Sequence, residues 1–191
     1  MAARKGDSRS GPLCTEHACG SSGRSCRRPK GLLRAAPPGP GGEDEINGWK
    51  YTAPIQTFGH ERRLFEAGAW GGTFRDEFTP LPGEVVAQEH WCSSGFANTD
   101  LDLQLKRHGI HRLIVIGLRA NTCIDSTVRF ASELGYDVTL VKDAIASYRW
   151  EEMQATLEIN LPNYATSILS AADIIAALEH THGHTLKYAT V

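Results

Sequence analysis

Short apolar runs alternate with segments of helical periodicity along the second half of the chain. Four apolar runs predict β-strands, at residues 84–87, 113–116, 138–141 and 166–169. Apolar residues at helical spacing predict four helices, at residues 99–108, 122–134, 150–160 and 171–178. Because the strands are apolar on both faces and alternate with helices, the pattern predicts an α/β fold over residues 84–191. Its sheet would be doubly wound and mostly parallel, with helices on both faces in three layers.

The first 83 residues lack this regular pattern. Residues 1–45 are rich in Gly, Pro, Ser and basic side chains, so we expect a disordered tail that cannot bury enough apolar surface to offset the entropy of ordering it. Residues 46–83 carry many aromatic side chains without a sustained period of 2 or 3.6, which predicts a long loop region. Within it, Trp70-Gly71-Gly72 fits either a tight turn or a lid over a pocket.

Composition narrows the class of protein. The chain has 191 residues with 20 Lys+Arg against 22 Asp+Glu, which is typical of one globular domain and gives no basic footprint for nucleic acid. No run approaches the ~18 consecutive apolar residues of a membrane span, so no membrane partner is expected. The polar start lacks the apolar core of a signal peptide, so we expect a cytoplasmic protein with reduced thiols.

Cys123 lies where a strand is expected to give way to a helix. The strand at 113–116 ends at Gly117, and Thr122-Cys123-Ile124-Asp125 opens the next helix with a capping pattern. Unpaired backbone N–H groups and the positive end of the helix dipole would favour the thiolate there and could stabilise an oxyanion. The alternative is that Cys123 is a small buried apolar residue, as most free cysteines are.

A nucleophilic cysteine needs a base, and His90 is the histidine best placed to supply one. It follows the strand at 84–87, so in a parallel sheet it would point toward the same crevice as Cys123. A half-exposed loop histidine is an equally good interpretation of its position alone. Cys92 has no comparable setting and is expected to be buried.

Two motifs carry a resemblance to a known family. The segment Gly117-Leu118-Arg119-Ala120-Asn121-Thr122-Cys123-Ile124, followed by Leu134-Gly135-Tyr136, resembles the nucleophile segment of the isochorismatase-like cysteine hydrolases. Upstream, Ser94-Gly95-Phe96-Ala97-Asn98-Thr99-Asp100-Leu101 is similar to the segment that follows the catalytic lysine of that family. The motifs occur in the family's order and at its separation, and the resemblance covers about residues 83–178.

The resemblance implies an activity and a set of site residues. Members of the family use an Asp–Lys–Cys triad to hydrolyse a small amide, imide or related substrate through a covalent intermediate, which would make Cys123 the nucleophile. The backbone N–H groups of Arg119 and Cys123 would form the oxyanion hole, after a non-proline cis peptide at Leu118–Arg119. Family members are often homo-oligomers, which is the expectation here. No cofactor is expected, and no metal, since nicotinamidases of the family bind theirs through an Asp-x-His segment that this sequence lacks.

Aromatic residues near these motifs are candidates for the pocket. Trp91, Phe96 and Trp70 are expected to bind substrate, although core packing explains aromatic side chains equally well. The expected partner is a small molecule whose identity the sequence does not name.

Two departures from the family pattern bear on activity. The lysine position holds His90, which could still shuttle a proton because histidine titrates near neutrality. The family's opening strand, with its aspartate, has no counterpart in residues 1–46, so we expect a truncated or alternatively begun chain with an unpaired strand edge beside residues 113–116. A weakly active or inactive hydrolase follows as a hypothesis. The alternative is a non-catalytic α/β protein that keeps the fold and the oligomer surface.

Overall fold

Strands and helices alternate along the described part of the chain. The structure, a computed structural model, describes residues 32–35, 53–65, 68–74, 76, 79–90, 92–180 and 188–190. In chain order its strands are β1 (Leu32–Ala35), β2 (Val86–His90), β3 (Arg112–Leu118), β4 (Asp137–Ala146), β5 (Ser167–Leu169) and β6 (Tyr188–Thr190). Its α-helices are α1 (Pro54–Glu61), α2 (Leu101–Arg107), α3 (Asp125–Glu133), α4 (Trp150–Gln154) and α5 (Ala171–His180). One α-helix therefore lies between each successive pair of strands from β2 to β6.

Four of the strands form one parallel sheet in the order β5-β4-β3-β6. Leu113 pairs with Val138 between the two central strands, and Leu140 pairs with Ile168 on the other side of β4. β1 and β2 pair with each other, also in parallel, as a separate two-stranded sheet. Because parallel neighbours need crossover connections, the helices between the strands follow from this pairing. The predicted parallel α/β fold is confirmed.

The core lies around the two central strands. Four side chains of β3 and β4 are at most 1% exposed: Leu113, Val115, Val138 and Leu140. Side chains of a strand point to alternate faces, and the opposite face of β3 carries Ile114 and Ile116, which are less buried. α3 packs Val128 and Ala131 into the same core cluster. This packing fixes the end of β3, from which the candidate site is built.

Two predicted elements differ most from their predicted bounds. β4 continues to Ala146, beyond the predicted end at residue 141, and its pairing with β3 shifts register on the way. The predicted helix at 150–160 is an α-helix only as far as Gln154 and continues as a π-helical turn, Ala155–Asn160. Pro162 follows within a short 3-10 turn, and its missing N–H prevents an α-helix from continuing.

Two elements lie in segments for which the sequence predicts none. β1 lies in the predicted disordered tail, and its Leu32 and Leu33 pair with Val86 and Ala87 of β2. That leucine pair is too short to be recognised as a strand, but the backbone of β2 supplies the partner that a short strand needs. α1 lies in the predicted loop region and begins at Pro54, which suits a first helical position because no N–H is needed there. The rest of the tail lies outside the described residues, so its disorder stays a prediction.

β6 pairs with β3 along the edge that the sequence predicts to be unpaired. Its three residues pair with Arg112, Leu113 and Ile114, so the first half of β3 has a neighbour on both sides. From Val115 onward the recorded partners of β3 lie in β4 alone. The predicted unpaired edge is therefore wrong for the first half of β3, because a strand too short to show periodicity occupies that place.

Replacing Leu140 with alanine is expected to destabilise the fold by about 2–5 kcal/mol, because this fully buried side chain would leave a cavity that its neighbours fill only in part. Leu103→Ala is the matched control, since Leu103 is 57% exposed on α2 and its loss should change the free energy of unfolding by about 0.5 kcal/mol at most. Urea denaturation of both variants measures the two values. Equal losses would contradict the central position of β4.

Candidate active site

The candidate nucleophile lies in a turn between β3 and α3. β3 ends at Leu118, the peptide bond between Leu118 and Arg119 is cis, and a π-helical turn, Ala120–Ile124, follows. The cis bond occurs where the family resemblance implies it, so that expectation is confirmed. Gly117, just before it, has a φ of +120°, a backbone conformation that favours glycine. The chain therefore leaves the sheet immediately before the segment that carries Cys123.

The backbone carbonyl oxygen of Arg119 holds this turn together. It accepts hydrogen bonds from the N–H groups of Thr122, at 3.3 Å, and of Ile124, at 3.0 Å. The second bond spans five residues and closes a wider ring than that of an α-helix. Neither bond uses the N–H of Cys123, as is common for the first residues of a helix. The Cys123 N–H, one of the two donors that the resemblance assigns to the oxyanion hole, is thus outside both bonds.

The Thr-x-x-Asp pattern does not cap α3. The helix begins at Asp125, and no side-chain hydrogen bond caps it. Thr122 Oγ1 instead donates to Cys123 Sγ, at 3.7 Å. The predicted helix start at residue 122 is wrong, because the Arg119 carbonyl draws residues 120–124 into the wider turn. Cys123 therefore precedes α3 and does not lie in its first turn.

Cys123 and Cys92 are both free and half-buried. The Sγ atom of Cys92 lies 3.7 Å from Ser93 Oγ, a contact like the one between Thr122 and Cys123. The prediction of a buried Cys92 is therefore wrong in degree, since this residue is only half-buried. What distinguishes Cys123 is its place in the helical turn Ala120–Ile124, and not its exposure.

His90 is the last residue of β2 and is half-buried. Its Nδ1 lies 2.7 Å from the backbone carbonyl oxygen of Cys92. Since a carbonyl oxygen can only accept, Nδ1 carries the proton and donates it, and Nε2 is the basic nitrogen of the neutral ring. Burial lowers the pKa of His90, against the opposing effects of that carbonyl and of the charge on Glu89. At neutral pH His90 is therefore a neutral imidazole that can accept a proton.

The recorded contacts do not join His90 to Cys123. β2, which carries His90, pairs with β1, whereas β3, which leads to Cys123, belongs to the four-stranded sheet. Among the described residues no hydrogen bond links the two side chains. The strand pairing gives no support to a shared crevice, so the partnership of these two residues stays a prediction.

A charged cluster that the sequence reasoning missed lies beside the turn. Glu152 of α4 lies 3.8 Å from Arg119 Nη2 and 3.4 Å from Arg149 Nε. Ser147 Oγ lies 2.6 Å from Glu152 Oε2 and 3.0 Å from Asn121 Oδ1, and its single proton serves one of them at a time. These contacts tie α4 and the end of β4 to the turn.

Glu152 is held as a carboxylate by this cluster. The hydrogen bond from Ser147 lowers the pKa of Glu152, and the charges of Arg149 and Arg119 lower it further. A carboxylate with a lowered pKa is a poor acceptor for a thiol proton. The order of the strands in the sheet could have indicated this cluster. β4 is the parallel neighbour of β3, so the residues that follow β4 lie beside the turn that follows β3.

Asp125, the carboxylate nearest to Cys123 in the sequence, is engaged in a salt bridge. It accepts a hydrogen bond from Arg129 Nε one turn along α3. Arg129 also donates from Nη1 to the Tyr164 hydroxyl, at 2.9 Å, and its guanidinium carbon lies 4.4 Å from the centre of that ring. The hydrogen bond to Asp125 raises the pKa of Arg129. Asp125 is therefore occupied in anchoring α3.

The structure describes two of the three aromatic residues predicted to bind substrate, and their role in binding stays a prediction. Phe96 is buried, and its ring centre lies 5.7 Å from that of Tyr136, which favours the core-packing alternative. Trp70 is 87% exposed and begins a 3-10 turn. A Cβ atom on Gly71 would meet a backbone carbonyl oxygen at 2.0 Å, so the turn requires glycine there and the tight-turn interpretation accounts for it. Trp91 lies outside the described residues.

A metal-binding cluster and a membrane-spanning helix are both absent from the part of the chain that the structure describes. It contains no group of three or more His, Cys, Asp or Glu side chains able to hold a metal ion. Each of its helices falls short, in length or in apolar character, of what crossing a lipid bilayer requires.

Comparison with known proteins tests the family resemblance. The sequence model of the isochorismatase domain matches residues 44–173, about two thirds of the chain. The chain belongs to the isochorismatase family. Because the match begins at residue 44, the isochorismatase region includes residues 46–83, which the sequence predicts to be a loop region outside the domain.

Among relatives in the isochorismatase family, the ureidoacrylate amidohydrolase RutB of Caulobacter segnis is 31% identical over 137 residues, which cover 70% of this chain and 56% of that protein. The chain spans about half the length of the curated relatives it matches. An isochorismatase family protein from Burkholderia thailandensis has a TM-score of 0.60 at 26% identity, covering 79% of this chain and 74% of that one. The N-carbamoylsarcosine amidase of Thermoplasma acidophilum has a TM-score of 0.54 at 25% identity, covering 74% and 72%.

We expect His90 to lower the stability of the protein as the pH falls, because the fold holds this ring neutral. Burial puts its folded pKa below the ordinary value of 6.5, so protonation favours unfolding below that pH. The stability of the wild type relative to His90→Gln should be constant above about pH 6.5 and fall on acidification to about pH 5. Urea denaturation at both pH values measures this difference in the free energy of unfolding. The other histidines are present in both proteins, so their contributions cancel. If the wild type instead became more stable relative to the variant as the pH falls, the result would contradict a buried neutral ring.

Proposed function

We propose that this chain hydrolyses a small amide, imide or ureido compound with Cys123 as the nucleophile. The observation that carries the proposal is the turn after β3, in which the Arg119 carbonyl accepts its two bonds from Thr122 and Ile124 and neither bond uses the Cys123 N–H. A thiol and nearby backbone N–H donors are what attack on a carbonyl carbon and stabilisation of the resulting oxyanion require. Membership of the isochorismatase family and the amidohydrolase among its relatives support the same chemistry.

The reaction would run in two steps through a thioester. The Cys123 thiolate attacks the carbonyl carbon, a carbon–sulfur bond forms, and the oxyanion accepts hydrogen bonds from the N–H groups of Arg119 and Cys123. The oxyanion then collapses, the carbon–nitrogen bond breaks, and the departing amine takes a proton. Water next attacks the thioester, gives a proton to the base and releases the acid, which restores the thiolate.

His90 is the group we propose for proton transfer. Its ring is neutral at neutral pH, with Nδ1 donating to the Cys92 carbonyl and Nε2 left as the basic nitrogen. The carboxylates close to the turn are less suitable, because Asp125 is paired with Arg129 and Glu152 with Arg149. A histidine that receives the thiol proton can return it to the leaving amine in the same step.

Ureido compounds are the first substrates to test. Ureidoacrylate and N-carbamoylsarcosine, which appear in the names of the two relatives, share a terminal carbamoyl group attached to nitrogen. Attack at its carbonyl carbon would release ammonia, a product that is simple to measure. The same attack on a primary amide or a cyclic imide needs no different group on the protein.

We expect slow turnover, in line with the hypothesis of a weakly active hydrolase. The two carboxylates near the turn are held by arginines, and no recorded hydrogen bond holds the His90 ring against the Cys123 thiol. A base that is poorly positioned loses much of the ~10²–10⁴-fold contribution that proton transfer makes. The alternative, a non-catalytic member of the family, predicts no product that depends on Cys123.

Ammonia release from a panel of ureido acids, primary amides and cyclic imides tests the proposal. Cys123→Ala should reduce the rate by about 10²-fold or more, because the covalent step is lost. Cys92→Ala is the matched control, since this second half-buried thiol lies outside the turn, and it should keep the wild-type rate. Equal rates in the wild type and Cys123→Ala would reject the cysteine mechanism, and absence of product from every compound would favour the non-catalytic alternative.

A further inference from the structure

The Arg119 side chain has fewer hydrogen-bond partners than the side chain of Arg129 on α3. Arg129 donates to Asp125 and to the Tyr164 hydroxyl, which accounts for its position as a structural residue. Arg119 makes no recorded hydrogen bond through its side chain to any described residue, and its Nε is buried without a partner. A buried N–H without an acceptor is unfavourable, so such a group in a folded protein calls for an explanation.

The unpaired Nε–H belongs to a fork of donors on the Arg119 side chain. Nε–H and the nearer N–H of Nη2 point the same way in the guanidinium plane and match the two oxygens of a carboxylate. Glu152 does not fill this fork, because its Oε1 lies 3.8 Å from Nη2, beyond hydrogen-bond distance. The oxygens of Glu152 are instead engaged with Ser147 and Arg149. The fork therefore has no hydrogen-bond acceptor among the described residues.

The charges beside the turn favour an anion. The cluster of Arg119, Arg149 and Glu152 holds two guanidinium groups and one carboxylate, so one positive charge in it is uncompensated. Arg149 lies at the rim, with 74% of its side chain exposed, whereas that of Arg119 is 27% exposed. Because water screens an exposed charge more than a buried one, Arg119 is the stronger attractor of an anionic group.

Tyr148 covers the Arg119 side chain from the outside. Its ring centre lies 4.5 Å from the guanidinium carbon, and the residue is 81% exposed. No hydrogen bond from the Tyr148 hydroxyl to a described residue is recorded, so the cation–π contact is what is seen to hold the ring in place. The ring thus contacts the face of the guanidinium group and provides no acceptor for the Nε–H on its edge.

We propose that the Arg119 side chain binds the carboxylate of an anionic substrate, so that the site selects small amides that carry a negative charge. The inference rests on the proposed function, because the bound molecule is the one whose carbonyl Cys123 attacks. The Arg119 carbonyl closes the turn that carries Cys123, so the backbones of the two residues are held in one fixed arrangement. A carboxylate bound by the Arg119 side chain would therefore be held by the same turn that carries the reacting sulfur.

Iodoacetate and iodoacetamide test this binding without knowledge of the substrate. Both alkylate a thiolate in one step, in which a carbon–sulfur bond forms and iodide leaves, and they differ in carrying a carboxylate or a neutral amide. The ratio of their rates at Cys123, followed by peptide mass spectrometry, cancels the fraction of thiolate that is present. It can therefore be measured even if hydrolysis of every amide tested fails.

We expect Arg119→Gln to lower the ratio of iodoacetate to iodoacetamide rates by about fivefold or more, because a charge-assisted hydrogen bond to the carboxylate is lost. Arg149→Gln removes the same charge from the rim of the cluster and should change the ratio by about twofold at most. A ratio unchanged in Arg119→Gln would overturn the proposal. Equal losses in both variants would also overturn it, since they would indicate the general electrostatic field alone.

The wild-type protein supplies a second measurement that needs no variant to fold. Cys92 is alkylated in the same sample and is also half-buried, but it lies on a different segment of the chain. The ratio at Cys123 should exceed the ratio at Cys92 by about fivefold or more in dilute buffer, and high salt should reduce the excess. The same ratio at both cysteines would contradict binding by Arg119.

Discussion

The candidate site depends on the two hydrogen bonds that the Arg119 carbonyl accepts from Thr122 and Ile124. They draw the residues after β3 into a wide turn before α3 can begin, and they leave the Cys123 N–H outside both bonds. The turn can form because β3 is paired with β4 up to Leu118, so the chain leaves the sheet at a fixed place. The position of the sulfur is thus a consequence of strand pairing and of one backbone acceptor.

Several functions converge on Arg119 in this account. Its carbonyl shapes the turn, its N–H is a proposed oxyanion donor, and its side chain is a proposed carboxylate ligand. Glu152 holds the guanidinium group from one side and is itself fixed by Ser147 and Arg149. The end of β4 and the start of α4 therefore support the nucleophile turn from the neighbouring position in the sheet.

The central part of the fold was predictable because its signals are local and strong. Apolar runs such as 113–116 and 138–141 form paired strands, and the residues between them form the covering helices. β1 and β6 were not predictable, since strands of three or four residues show no period and depend on partners distant in the sequence. The start of α3 was misplaced for a related reason, as a capping pattern in the sequence competes with a carbonyl acceptor that only the fold supplies.

The candidate site was likewise predictable from the sequence only in part. Cys123 and the cis peptide at Arg119 are marked by a motif, so sequence alone located them. The contacts of Glu152 with Arg119 join residues from two different turns, and only the pairing of β3 with β4 brings those turns together. The partnership of His90 with Cys123 depends on how the two sheets are arranged, which local sequence does not encode.

Acylation of the native protein by an activated ester such as p-nitrophenyl acetate tests the nucleophilic role of Cys123 most directly. Peptide mapping after a short reaction would show how much of the acetyl label each of the two half-buried thiols, Cys92 and Cys123, has received. The account predicts that Cys123 is acetylated well before Cys92 in the folded protein, and that both react alike after denaturation in urea. Equal acetylation of the two cysteines in the folded protein, or reaction at Cys92 first, would contradict it.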